Sequence, residues 1–224
     1  MSEKNSLNNK AHIVEIFNSI QGEGLFVGEM QTFVRFSGCN LNCAYCDTNH
    51  NKETSKEMTV KELANKLKEK TAKIVSLTGG EPLLNYQFIK ELCTKYKANY
   101  YLETNGTLSE KLQNVIESID TVAMDIKLES ATGEKNRFEE NQKFAQIANK
   151  AKTFFIKIVF DKNITEDEIE NCIKIAKNNK TQIILQPKMP LEQGFEPDVV
   201  FNKFYEKYEF VRLIPQTHKF LNIR

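Results

Sequence analysis

Cys39-Asn40-Leu41-Asn42-Cys43-Ala44-Tyr45-Cys46 carries three thiols within eight residues, enough to converge on one metal centre without ligands from distant sequence. A closed tetrahedral zinc site needs four ligands, whereas three cysteines on a cubane iron–sulfur cluster leave one iron open to an exogenous ligand. Zinc completed by His50, or three ordinary reduced thiols, are the other readings of the spacing, because short cysteine clusters serve several metals of similar softness.

Immediately upstream, Thr32 to Phe36 is β-branched and aromatic, the pattern of a strand that delivers the cysteine loop. Arg35 sits in its middle, and a buried arginine needs an anionic partner. Its alternatives are carboxylate binding beside the cysteines or a solvent-facing place on an edge. Further back, Ala11 to Ile16 reads as a short strand, followed by Gln21-Gly22-Glu23-Gly24, polar groups on a glycine-permissive loop.

Downstream, Thr59-Val60-Lys61-Glu62 is a capping box opening a helix through Lys70. Strands at Lys73–Leu77, Asn99–Glu103, Thr121–Ile126, Thr153–Phe160 and Gln182–Leu185 then alternate with helices at Tyr86–Tyr96, Glu110–Glu117, Arg137–Lys150 and one capped by Thr165 with Glu168. Such alternation argues for a parallel sheet with right-handed crossovers. Ligands then belong beyond the carboxyl ends of the strands. Arg35, Thr78, Gly80, Glu103, Thr104, Asn105, Asp125, Lys127, Lys157, Gln186 and Lys188 fall there, although Lys157 reads equally well as solvent-facing. Leu191 to Val200 is irregular and Phe210 to Pro215 strand-like. His218 in the tail reads as a hydrogen-bonded surface residue.

The 224 residues are most simply one domain, and 40% hydrophobic content suffices for one sizeable core. A formal charge of +1 gives no footprint for non-specific nucleic-acid or membrane contact. The first ten residues are polar, and no stretch approaches the ~20 apolar residues of a membrane span, so a soluble, cytoplasmic protein is expected. Five cysteines, three of them crowded together, do not make a disulfide framework, and Cys93 and Cys172 read as small buried hydrophobes.

Cys-x3-Cys-x2-Cys with Tyr45 before the third cysteine, and Thr78-Gly79-Gly80-Glu81-Pro82 at a strand end, resemble the radical S-adenosylmethionine (SAM) superfamily. That resemblance implies an α/β open partial (β/α) barrel of about six mostly parallel strands, a [4Fe-4S] cluster and SAM, whose reductive cleavage gives a 5′-deoxyadenosyl radical. Gln21-Gly22-Glu23-Gly24, Arg35, Cys46-Asp47-Thr48, Glu103-Thr104-Asn105-Gly106 and Pro215-Gln216-Thr217-His218-Lys219 in addition resemble the 7-carboxy-7-deazaguanine synthase family over nearly the whole chain.

The family resemblance implies rearrangement of 6-carboxy-5,6,7,8-tetrahydropterin to 7-carboxy-7-deazaguanine with loss of ammonia, using the cluster, SAM and Mg2+, on the way to 7-deazapurines such as queuosine. It implies that Cys39, Cys43 and Cys46 hold the cluster and Thr48 meets Mg2+. Ile20, Gln21, Gly22, Arg35 and Thr78 would contact the pterin. Gly80, Asp125, Ile126, Lys127, Gln186, Pro187, Lys188 and Met189 would line the SAM site. A homodimer and a low-potential electron donor, flavodoxin or ferredoxin, are the expected partners. Asp125-Ile126-Lys127 stands where many family members have Ser-Pro-Lys, and it also resembles glycyl-radical-enzyme activating proteins, which act on a large protein. A plain iron–sulfur or zinc binding module would leave Thr78 to Pro82 unexplained.

Overall fold

The central strands are short, nearly continuous apolar runs, and the fold buries both faces of the sheet they form. The structure is a computed structural model that describes residues 9–44, 46 and 52–223. Among them nine strands form a single sheet: β1 (Lys10–Ile20), β2 (Met30–Phe36), β3 (Lys56–Thr59), β4 (Ile74–Gly79), β5 (Asn99–Thr104), β6 (Thr121–Asp125), β7 (Thr153–Phe160), β8 (Gln182–Pro187) and β9 (Val211–Leu213). Their order is β3-β1-β2-β4-β5-β6-β7-β8-β9. Neighbours from β2 to β9 are all parallel, while β1 and β3 add antiparallel pairs at one edge.

The six expected central strands are present, and the open parallel barrel gains β9 as a seventh. β1 runs past the expected Ile16 to Ile20, because it is laddered to β2 as far as Met30. The helices are α1 (Val60–Lys68), α2 (Tyr86–Lys95), α3 (Ser109–Gln113), α4 (Glu129–Thr132), α5 (Phe138–Ala148), α6 (Glu166–Asn179), α7 (Pro197–Tyr205) and α8 (Thr217–Leu221). α7 begins inside the stretch expected to be irregular, with Pro197 in its first turn, where a missing N–H costs nothing. The expected helix Glu110–Glu117 is shorter, ending at Gln113 and followed by a 3-10 turn at Ile116–Ser118. No helix among the described residues is long and apolar enough to cross a membrane.

One face of the sheet meets the helices. Val34, Leu77, Leu102, Val122, Ile156, Ile158 and Leu185 pack there against Leu63, Phe88, Leu92, Phe144, Ile169 and Phe204. Each such side chain contributes about 2 kcal/mol by leaving water. On the other face a small apolar cluster of Tyr101, Ala123, Phe155 and Ile184, capped by Leu25 and Phe26, forms a floor. The next residues of that face, nearer the carboxyl ends of β5, β6 and β7, are Glu103, Asp125 and Lys157.

Candidate active site

Strand periodicity delivers polar side chains to the carboxyl ends of the parallel strands, above the apolar floor. A cavity of about 650 Å³ opens there. Arg35 of β2, Thr78 of β4, Glu103 of β5, Asp125 of β6 and Lys157 of β7 line it, together with the Gln21-Gly22-Glu23 loop, the three cysteines and the tail residues Gln216 and His218.

Arg35 finds its anionic partner in the chain. A register shift in β1 between Ile13 and Glu15 brings Glu15 opposite Arg35, and Arg35 Nε donates to Glu15 Oε1 at 2.7 Å. The guanidinium carbon lies 5.8 Å from the centre of the Phe17 ring, which itself stacks on Phe33 at 5.2 Å. A planar cation held by a carboxylate and an aromatic face keeps one orientation.

Two further networks fill the site. Glu103 accepts hydrogen bonds from Gln21 Nε2 (2.9 Å) and Thr78 Oγ1 (2.9 Å). Lys157 Nζ bonds Glu23 Oε2 and lies 3.5 Å from Asp125 Oδ2; Asp125 also accepts from Lys127 Nζ at 2.8 Å. Glu23 is half-buried, yet the Lys157 ammonium, helped by Gln216, overcomes the cost of desolvation and holds its carboxyl down at about 2. The same carboxylates hold the Lys157 ammonium well above its ordinary range against the opposing effect of burial.

Main-chain contacts between strand ends set the cysteine loop. Gly80 N donates to Phe36 O (3.2 Å) and Glu81 N to Gly38 O (2.8 Å). A Cβ on Gly80 would stand 2.1 Å from Gly38 O, and one on Gly79, whose φ is +132°, would stand 2.2 Å from Phe36 O, so no side chain fits at either position. Asn105 Nδ2 donates to Asn40 Oδ1 (2.9 Å), and Ala44 N donates to Thr132 O (2.9 Å), which anchors the loop to the ends of β5 and α4.

Cys39, Cys43 and Cys46 line this same cavity, although among the described residues no three Cys, His, Asp or Glu side chains converge into a metal-holding group. Burial pushes the Cys43 thiol up to about 11 and raises Cys39 as well. Three soft thiols on a short loop beside a glycine strand end suit an iron–sulfur cluster, provided that binding displaces their protons.

Of the residues singled out from sequence, Ile20, Gln21, Gly22, Arg35, Thr78, Gly80, Asp125, Lys127, Lys188 and Met189 all line this cavity with the cysteines. Ile126 does not: it is buried in the helix-facing core. Gln186 and Pro187 are buried outside the lining, and neither side-chain amide atom of Gln186 has a hydrogen-bond partner. Thr48 lies outside the described residues.

Lys157, which read equally well as solvent-facing, is buried under the site, and His218 is no plain surface residue. His218 packs on Gly22, where a Cβ would meet its ring nitrogen Nδ1 at 2.5 Å, and Thr217 N donates to Gly22 O at 2.9 Å. Glu15 lies inside the expected first strand, but its pairing with Arg35 depends on the register of β1 on β2, and Phe17 falls just beyond the expected strand end at Ile16, so neither is singled out from sequence.

Residues 33–181 match the family model described as the Radical SAM superfamily. The chain is 36% identical to the 7-carboxy-7-deazaguanine synthase of Archaeoglobus fulgidus over 96% of its own length and all of that protein's. It is 32% identical to the synthase of the same name from Geobacter sulfurreducens, covering 94% of this chain and 97% of the relative. Among solved structures it resembles QueE from Escherichia coli, with a TM-score of 0.66 and 21% identity over 97% of this chain and 99% of that one.

Proposed function

The chain belongs to the radical SAM superfamily and, within it, to the 7-carboxy-7-deazaguanine synthase family, and we propose that its sheet-end cavity rearranges 6-carboxy-5,6,7,8-tetrahydropterin to 7-carboxy-7-deazaguanine with loss of ammonia, a lyase step toward queuosine. The observation that carries this reading is the meeting, in one cavity, of the three cysteines, the Thr78-Gly79-Gly80 strand end and the Gln21-Gly22-Glu23 loop.

A bound [4Fe-4S] cluster and SAM supply hydrogen-atom abstraction through one-electron cleavage of the sulfonium. The chain's own residues bind, orient and shield. Cys39, Cys43 and Cys46 hold the cluster as thiolates, giving up their protons on assembly. Gly80 lets the strand end approach closely, and Asp125, Lys127, Lys188 and Met189 form the wall for SAM; Ile126, Gln186 and Pro187 contribute main chain. Arg35, oriented by Glu15 and Phe17, offers its cation to the substrate carboxylate. Ile20, Gln21, Gly22 and Thr78 meet the pterin, with Gln21 and Thr78 oriented by Glu103.

Thr48, two residues past Cys46 in the sequence, would offer its hydroxyl oxygen to Mg2+, a cation that prefers oxygen donors and would take others from the substrate carboxylate and water. A flavodoxin or ferredoxin supplies the electron, the working form is a homodimer, and a reducing cytoplasm keeps the thiols available.

Anaerobic reconstitution with iron and sulfide, followed by dithionite, SAM and the tetrahydropterin, is expected to yield a product lighter than the substrate by one ammonia on mass spectrometry. SAM cleavage to 5′-deoxyadenosine with the pterin left intact would contradict the synthase reading.

A further inference from the structure

Lys157 occupies the middle of β7, among Phe155, Ile156, Ile158, Val159 and Phe160, all of them buried. An ammonium in such surroundings is costly unless it is answered. Here two carboxylates from different parts of the chain answer it: Glu23, from the loop after β1, and Asp125, from the end of β6. Each has a second partner. Gln216 Nε2 donates to Glu23 Oε1 at 2.7 Å, and Lys127 Nζ to Asp125 Oδ2 at 2.8 Å. Glu103, which holds Gln21 and Thr78, also faces the Lys157 charge.

We propose that Lys157 is a positioning residue whose single ammonium fixes the Gln21-Gly22-Glu23 loop against the Asp125-Ile126-Lys127 strand end, and so sets the pterin against SAM. The inference rests on the functional reading above, which puts the pterin on Gln21 and Gly22 and SAM beside Asp125 and Lys127. Nothing in that reading assigns a role to Lys157, which touches neither ligand in it.

Net stability does not account for this lysine, since a buried ion pair is commonly matched or exceeded by a well-packed apolar group of similar volume. Geometry does. Without the ammonium, Glu23 and Asp125 face one another as like charges, and the loop keeps its Gln21–Glu103 bond to β5 but loses its tie to β6 and β7. Hydrogen-atom transfer between two bound molecules depends on their separation, so a small shift of one against the other slows it steeply.

The test uses the reconstituted full-length protein and four variants: K157M, K157R, E23Q and K157M/E23Q. Equilibrium affinities are measured separately for S-adenosylhomocysteine and for oxidised 6-carboxypterin, neither of which turns over, beside the thermal midpoint. Turnover with SAM and the tetrahydropterin gives the ratio of 5′-deoxyadenosine to deazaguanine product. In K157M both affinities are expected to fall about tenfold and the ratio to rise, as loss of positioning requires. K157R, which keeps the charge, recovers part of both, and E23Q weakens the pterin alone.

If K157M does not fold, the double variant removes the ammonium and one facing charge together. It is then expected to fold and to bind S-adenosylhomocysteine more weakly than E23Q does. Folded Lys157 variants with both affinities and the product ratio unchanged would overturn the inference while leaving the synthase reading intact. A parent protein that binds neither ligand would remove that reading, and this one with it.

Discussion

Glu81 shows at the scale of one residue how a motif can do structural work that its sequence does not disclose. Thr78 to Pro82 reads as a glycine strand end for SAM, yet the Glu81 side chain is 0% exposed and turned into the protein. It accepts from Leu83 N (3.0 Å), Asn105 N (2.8 Å) and Thr104 Oγ1 (2.9 Å). Burial outweighs these donors and lifts its carboxyl to about 7, from 4.5 for an ordinary glutamate. The folded chain therefore holds this proton more tightly than the unfolded one. Its contribution to stability is greatest below pH 4.5, declines as pH rises from 4.5 to 7 and is flat above, a span of roughly 3 kcal/mol. Glu23, with a carboxyl near 2, acts in the opposite direction and only below pH 4.5. Glu81→Gln is expected to flatten the decline between pH 4.5 and 7 in urea unfolding, and an unchanged slope would count against the assignment. Two of the three partners of Glu81, Thr104 and Asn105, come from the end of β5, more than twenty residues on, and those of Lys157 from the β1–β2 loop and β6. Such pairings follow from strand order, and no local pattern announces them.

Local signals carried much of the element scale. Thr59 with Glu62 and Thr165 with Glu168 were legible as capping boxes, and both close reciprocally in the structure. The second does more than cap. Glu168 Oε1 also accepts from Ser130 N (3.0 Å) and Asn136 Nδ2 (3.3 Å), which ties α6 to α4. Thr165→Ala is expected to cost about 1 kcal/mol, the usual loss of an N-cap. Glu168→Ala should cost about twice that, because it also leaves the Ser130 N–H unanswered in a half-buried place. Equal losses in chemical denaturation would mean that the α4 tie contributes nothing. Where the elements departed from expectation, tertiary pairing decided. β1 extends to Ile20 because β2 offers it a full ladder, and β3 is a four-residue edge strand whose partner is β1. α7 starts at Pro197, a residue that reads as a break until the following apolar turn packs Val200 and Phe204 into the core.

At the scale of the whole molecule, the parallel ladder from β2 to β9 explains why residues scattered from Ile20 to His218 share one cavity. Each strand contributes the side chains at its carboxyl end, and the loop and tail close over them through Glu23, Gln216 and Gly22. Sequence placed the cysteine loop, the Gln21–Gly22 loop and most strand-end residues correctly, since motif spacing and strand alternation are local. It undervalued Lys157 and His218, whose places depend on which strands and which terminus meet in space. The central claim is that this cavity sets an open iron of a three-cysteine cluster beside a SAM site. Electron paramagnetic resonance of the reduced, reconstituted protein, recorded before and after SAM is added, tests it most directly. A cluster signal that shifts on SAM binding, and that is lost in Cys39→Ala, Cys43→Ala and Cys46→Ala proteins, is the predicted result. A cluster signal that SAM leaves unchanged, or that survives removal of any of these cysteines, would contradict it.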